Sequence, residues 1–476
     1  MSSYPQVIRA VNLEVDSLAS ALLPGFCTVV FAVALLNVLF FSQGAQGLFR
    51  DSDTGWHVLN GETILATGML PRVDTFSYTH GGQPWLAWEW MSDVVLGAAH
   101  RIAGLSGVAL LAGLAIALTA WGAARLSLSL GGNLFFTAAA MVVLLQTTSI
   151  HWLARPHVFS WLFALVFLAC AEHKRFLYAL PFVACLWANM HGSFLLGPAI
   201  LFIYGFFGPS LLALLATFIN PYGWHLHDHI FTYLQNDYLM DHIAEFRSFS
   251  FHSAGAWSVE LLLLIAVLGT LALLKQRRFG PALLAVCLLH VSMYSARHLP
   301  TTAVILLPLS VAALTREARS WPSLRQMLEY SDRVQIIDQK IWGVVPMILV
   351  VALAIVARDR DVNFDAAKFP VRAGNFIPDS GRVFTKDQWG GYLIYRFGGQ
   401  RKVFIDGRSD FYGQSFLQTY AEVADVKPGW QSVLKQYDVN VVLIPIDHAL
   451  ASALQLSPEW KRVYTDSMAT IFRRVG

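Results

Sequence analysis

The chain is poor in charge. Asp, Glu, Lys and Arg make up only 14% of its 476 residues, against roughly 25% in an ordinary soluble domain. Hydrophobic residues make up 55%, and mean hydropathy is +0.50. That scarcity excludes a soluble globular protein and leaves an integral membrane protein. Cys27, Cys170, Cys185 and Cys287 all lie in apolar runs without a CxxC pair, so they read as packing residues rather than disulfides or metal ligands. With a net charge of +3 and no basic block, nucleic acid is excluded as a partner. No internal repeat or low-complexity tract is present. A basic n-region and an A-x-A site are missing ahead of the first apolar run, so the start reads as a cytoplasmic tail before a retained helix.

Apolar runs are what the chain has instead. They fall at 24–42, 105–126, 133–152, 157–172, 176–190, 193–207, 210–220, 257–274, 280–296, 301–314 and 341–357, giving about 11 spans. Several are shorter than the roughly 20 residues that cross a bilayer alone, as expected where a polar cavity enters a bundle. Basic turns at His173–Arg175, Lys275–Arg278 and Arg316–Arg319 mark the inside, and Arg316–Lys340 reads as one amphipathic cytoplasmic helix. Trp88–Gly104, broken by Asp93, His100 and Arg101, reads as an interfacial helix on the outer face.

This gives a polytopic α-helical membrane domain over 1–357, with a first outer loop at 44–104. Residues 358–476 read as a soluble, extracytoplasmic α/β domain. Its expected strands are Arg382–Lys386, Lys402–Asp406, Val439–Pro445, Lys461–Tyr464 and Ala469–Arg473. Its expected helices are Gly413–Ala424, Gly429–Gln436 and His448–Gln455. With no Gly-rich phosphate loop and no nucleophile elbow, this domain is expected to carry no chemistry of its own.

The outer ends of the spans collect polar residues, which in apolar surroundings tend to face cavities. Asp51 and Asp53 follow the first span by about two turns, on a loop too long to be a mere connector. Arg155-Pro156-His157 and Arg297-His298 end later spans, and two arginines on one face suit a phosphate or carboxylate. Asn189, His191, Asn220, Tyr222 and Glu245 occupy the remaining outer turns. Trp56, Trp85 and Trp90 suit either stacking on sugars or anchoring at the interface.

An ordered set of motifs resembles the bacterial membrane glycosyltransferases of the GT-C fold, including the branch related to lipopolysaccharide-core transferases. The set begins with Asp51-x-Asp53-Thr-Gly-Trp56-His57, Gly61, Gly68-x-x-Pro71-x-x-Asp74-x-Phe76-Ser77 and Pro84-Trp85 leading to Glu89-Trp90. It continues with Arg155-Pro156-His157, Trp187-x-Asn189-x-His191-Gly192, Asn220-Pro221-Tyr222-Gly223, Ala244-Glu245 and Arg297-His298. The terminal domain adds Asp387-x-Trp389-Gly390-Gly391-Tyr392 and Val403–Arg408. There the run resembles, locally, the tryptophan–aspartate–tyrosine–glycine motif of oligosaccharyltransferase catalytic subunits. It lacks the paired tryptophans and the intervening aspartate.

The resemblance implies transfer of a sugar from a polyprenyl-phosphate carrier to a lipid, glycan or protein acceptor, at the outer face of the inner membrane. The amino terminus would be cytoplasmic. Asp53 would be the base or acceptor-orienting acid, with Asp51 as its alternative. Arg155, His157, Arg297 and His298 would hold the donor phosphate. Trp56, His57, Glu89, Trp90, Asn189, His191, Asn220, Tyr222 and Glu245 would bind substrate. Asp387, Trp389, Tyr392, Asp406 and Arg408 would belong to an acceptor-binding module or lid. No residue is assigned to a metal: oligosaccharyltransferases of this fold hold a divalent cation, the monophosphate-carrier enzymes generally do not, and no spacing here demands one. Two other classes remain on the sequence: a non-catalytic scaffold or receptor with an outer binding domain, and a transporter of lipid-linked sugar. The transporter would need charged residues at mid-span and inverted repeats, neither of which is seen.

Overall fold

The computed structural model describes residues 17–475. Residues 1–16, most of the expected cytoplasmic tail, lie outside the described residues. The protein is a multi-pass helical membrane protein with a small carboxy-terminal sheet. Five helices are long and apolar enough to cross a bilayer: Ser17–Phe40, Trp90–Ser129, Leu134–His151, Ala256–Lys275 and Ala296–Ala318. Six shorter apolar helices, from His157–His173 to Val344–Ala357, fill the remaining runs. Large apolar side chains such as Val33, Leu264, Leu268 and Val286 stay exposed on these helices, as a lipid-facing surface requires.

Local chemistry explains where the short helices stop. Phe207–Ala216 has ten residues, about 15 Å at 1.5 Å per residue. Asn220 ends it: its Nδ2 donates to Thr217 O and Gly223 O, and its Oδ1 accepts from Tyr222 N at 2.8 Å. At the opposite end of the bundle, the Arg325–Asp338 helix corresponds to the amphipathic segment read from the sequence. Its Asp338 Oδ1 accepts from Phe26 N at 2.6 Å, satisfying one open amide at the start of the Phe26–Phe40 helix.

The longest helix is two helices in sequence. Trp90–Ser129 leaves helical geometry at Ala103 and Gly104, where Gly104 adopts φ +60°. The part before this break, Trp90–Ile102, carries the fully buried Asp93 and packs on the Asp53–Thr67 helix of the first loop.

The terminal sheet contains β1 (Val383–Thr385), β2 (Val441–Pro445), β3 (Trp460–Thr465) and β4 (Ala469–Arg474), ordered β1-β2-β4-β3. Only β1 and β2 pair in parallel. The expected strand Lys402–Asp406 does not form. Val403 makes only isolated bridges to Ser77 and Val383, because Asp406, Gly407 and Arg408 turn the chain toward the first loop. The Asp387–Tyr392 motif lies in a helix, Asp387–Arg396. One apolar core lies inside the terminal segment, around Phe384, Phe404, Phe416 and Phe472. A second is continuous from the bundle through Phe49 and Trp56 to Trp389 and Tyr392, so the first loop and the terminal segment share a core.

Two glycines set how closely those parts approach. A β-carbon on Gly55 would lie 2.3 Å from Gly391 O, and one on Gly391 would lie 2.4 Å from Ser52 O. Gly55→Val or Gly391→Val should therefore lower stability in detergent by the ~1–3 kcal/mol of an overpacked contact. Thermal unfolding would measure it, with Gly208→Ala as a control that leaves the midpoint in place, since no atom lies within 4 Å there.

Candidate active site

A cavity of about 830 Å³ opens where the first loop, the ends of membrane helices and the terminal segment meet. Its wall includes Asp51, Asp53, Arg155, Glu245 and Arg297. Arg155 is the centre of this group. Its Nη1 donates to Asp51 Oδ2 at 2.7 Å, its Nη2 lies 3.0 Å from Asp53 Oδ2, and Glu245 Oε2 is 3.8 Å away. Glu245 also accepts from Arg297 Nη1 at 2.6 Å, so it bridges two guanidinium groups. The backbone beside Arg155 is fixed to the first loop: Ala154 N donates to Leu48 O, and Thr54 Oγ1 donates to Ala154 O.

The two kinds of carboxylate here have opposite character. Burial pushes Asp53 up to about 7, the neighbouring Asp51 charge adds to that, and Arg155 only partly opposes it. Burial would also raise Glu245, but Arg297 and then Arg155 outweigh it and hold the group at about 2. One carboxyl thus exchanges its proton near neutrality, while the other remains a fixed anion.

The terminal segment closes over Asp53. A β-carbon on Gly407 would come within 2.0 Å of Asp53 Oδ1. Next to it, the fully buried Arg408 forms a tie between chain regions. Its Nε and Nη2 donate to Asp406, and Nη2 also reaches Asp74 Oδ1 at 2.8 Å. The Trp85 ring lies 4.6 Å from the guanidinium, with Phe411 and Phe76 at 5.0 and 5.2 Å. Arg408 holds the Asp74 carboxyl below its usual range against the effect of burial. A second tie uses Asp410, whose Oδ2 accepts from Trp88 Nε1 at 3.0 Å and lies 3.0 Å from His229 Nε2.

The structure brings Trp56, Glu89, Asp387, Trp389, Asp406 and Arg408 to the same cavity wall. His57 and His191 lie immediately behind Glu89. The other anticipated residues are outside the wall. His157 bonds to His151 O, and Trp90 Nε1 donates to Asn189 Oδ1 at 2.8 Å. Tyr222 accepts from Ala87 N, and Asn220 caps its turn. His298 follows Arg297 without reaching the cavity. Tyr392 lines a smaller cavity of about 340 Å³ with Glu62, His100 and Arg396. Reading the sequence missed Asp410, Lys368, Lys386 and Tyr420, which do line the main cavity. Asp410 stands just two positions beyond the Val403–Arg408 motif, so its place beside that run was the available signal.

The carboxylates do not fit a divalent cation. Asp51, Asp53 and Glu245 converge on the Arg155 guanidinium, which occupies the position between them. Among the described residues, no group of three or more His, Cys, Asp or Glu side chains is arranged to hold a metal ion.

No protein-family model and no curated protein matches the sequence. Solved structures do resemble the fold. The archaeal oligosaccharyltransferase AglB from Archaeoglobus fulgidus, in complex with an inhibitory peptide and a dolichol-phosphate, superposes over 93% of this chain and 73% of its own. The TM-score is 0.56 at 11% identity. The apo form of the oligosaccharyltransferase from the same organism gives 0.55 at 11% identity, over 91% and 70% of the two chains. The chain has the GT-C fold. ArnT from Cupriavidus metallidurans bound to undecaprenyl phosphate aligns over 94% of this chain and 98% of its own, with a TM-score of 0.47 and 14% identity.

Removing Arg155 leaves buried carboxylates facing one another. Arg155→Met should cost roughly 3 kcal/mol of stability at pH 8. Because Arg155 lowers Asp53, its loss moves Asp53 further up and leaves it protonated at pH 5, where the loss should shrink. Denaturation midpoints at the two pH values measure both effects.

Proposed function

We propose that the protein is a membrane glycosyltransferase that moves a sugar from a polyprenyl-phosphate carrier to a hydroxyl or amide of a lipid, glycan or protein acceptor. The observation that carries this reading is Asp53, a buried carboxyl 3.0 Å from Arg155, in a cavity at the ends of membrane helices that Arg297 also lines. An acceptor hydroxyl is a poor nucleophile, and Asp53 takes its proton as the new bond forms. The departing phosphate gathers negative charge, and Arg155 and Arg297 oppose it in a water-poor site. The GT-C fold supports the reading, and an oligosaccharyltransferase of that fold has a dolichol-phosphate bound.

In this reading the cavity faces outward from the cytoplasmic membrane. The basic turns at His173–Arg175 and Lys275–Arg278 lie at the cytoplasmic ends of the spans, and residues 358–476 form an extracytoplasmic module that receives the acceptor. Lys368 and Lys386 would meet the acceptor on that side of the cavity.

Asp53 must be ionised to act. The transfer rate should therefore rise with pH through about 7. Asp53→Asn should reduce transfer by roughly 10²–10⁴-fold without unfolding the protein. Release of carrier phosphate from a panel of polyprenyl-phosphate sugars measures both. Transfer by Asp53→Asn at the wild-type rate would remove Asp53 from the reaction.

A further inference from the structure

Behind the cavity wall runs a second line of titratable groups that this reaction scheme has not used. Glu89 is 9% exposed, lines the cavity, and stands between two imidazoles. His57 Nε2 lies 3.8 Å from Glu89 Oε2, and His191 Nε2 lies 3.7 Å from Glu89 Oε1. Each ring is anchored through its other nitrogen. His57 Nδ1 meets Asp93 Oδ1 at 2.5 Å, and Asn60 Nδ2 donates to the other Asp93 oxygen at 2.6 Å. His191 Nδ1 lies 2.9 Å from Ser160 Oγ and 2.8 Å from Ser193 Oγ.

In the tautomer that donates Nδ1–H to Asp93, His57 turns its Nε2 lone pair toward Glu89. That nitrogen is fully buried and has no hydrogen-bond partner. An unpaired buried acceptor is costly, and a protonated Glu89 satisfies it by a small rotation. On the other side, Arg297 Nη2 lies 3.5 Å from His191 Nε2. Glu89 and Arg297 therefore flank the same ring, which places Glu89 beside one of the two cations assigned to the phosphate.

We propose that Glu89 is the acid of the transfer, giving its proton to the departing carrier phosphate, and that His57 and Asp93 are the positioning residues that hold this proton in place. The proposal rests on the transfer reading above. Asp53 takes the proton of the acceptor hydroxyl as its oxygen bonds to the anomeric carbon. The bond from that carbon to the phosphate oxygen breaks, leaving the electron pair on the phosphate. Glu89 delivers its proton to that oxygen. The products are glycosylated acceptor, protonated carrier phosphate, protonated Asp53 and ionised Glu89, and transfer of a proton from Asp53 to Glu89 through water restores the start. Besides His57, His191 and Asp93, the charges acting on Glu89 are Arg155, Arg297 and Asp410. Burial, then Asp93, pushes Glu89 well above the ordinary glutamate value, against the two arginines.

The test uses the full-length protein in nanodiscs and has two arms. Infrared difference spectra between wild type and Glu89→Gln at about pH 7 should show the carbonyl stretch of a protonated carboxylic acid, lost in the variant. Its absence overturns the proposal whether or not any donor is turned over. In the second arm, Glu89→Gln should slow carrier-phosphate release by roughly 10²-fold or more. The wild-type rate should also fall at alkaline pH, as Glu89 loses its proton. Asp93→Asn, which keeps the bond to Asn60 within reach, should shift that alkaline limb, whereas a purely structural change would scale the rate at every pH. Glu89→Gln working within twofold of wild type while Asp53→Asn is inactive would overturn the acid and leave the base in place. Failure of every donor would sink the transfer reading, while the infrared arm would still decide whether Glu89 holds the proton.

Discussion

A charge taken out of water has to be answered by another charge, and that requirement shapes this molecule more than any single apolar contact. Arg155 lies at the end of a membrane helix, where hydration is poor. It is answered by Asp51 and Asp53 of the first loop and by Glu245 of a loop some ninety residues later. Glu245 in turn answers Arg297. Four separate turns are thereby held in one arrangement. Desolvation makes each of these charges unfavourable alone, so the turns come together as a set. The cavity is the space that remains among them.

Arg408 repeats the principle further from the membrane. It is sandwiched by aromatic rings and paired with Asp406, two residues before it, and with Asp74 of the distant first loop. The result is a rigid junction between first loop and terminal segment. With Gly407 pressed against Asp53, that junction also sets the exclusion of water from the carboxyl, and exclusion of water is what brings Asp53 near neutrality. Packing of the terminal segment thus bears on the proton affinity of a first-loop carboxyl.

The helical architecture was legible because its signal is local. Runs of apolar residues and their Pro, Gly and Asn stops identify helices without knowledge of what lies beside them, and the eleven runs correspond to helices in the structure. Asp51, Asp53, Arg155, Glu245 and Arg297 were legible as polar residues at span ends. Their pairing was not, since sequence order says nothing of which turns meet. His57 shows the limit well: it is part of the Asp51–His57 motif, yet its Nδ1 meets Asp93, a residue on another helix. Likewise Lys402–Asp406 has strand-like composition, but a single bridge on either side and the pull of the Arg408 pairs leave it outside the sheet. Tertiary charge pairing overrode local propensity there.

The sequence distance between the halves of the Arg408 junction has a consequence for biosynthesis. Asp74 and Arg408 are 334 positions apart. During synthesis the membrane helices are inserted long before the chain reaches Gly407, and domains generally form as they are completed. Until then Asp53 lacks the cover of Gly407 and stays open to water, so the surroundings that raise its proton affinity are completed by one short turn, Asp406–Arg408, made after the membrane helices.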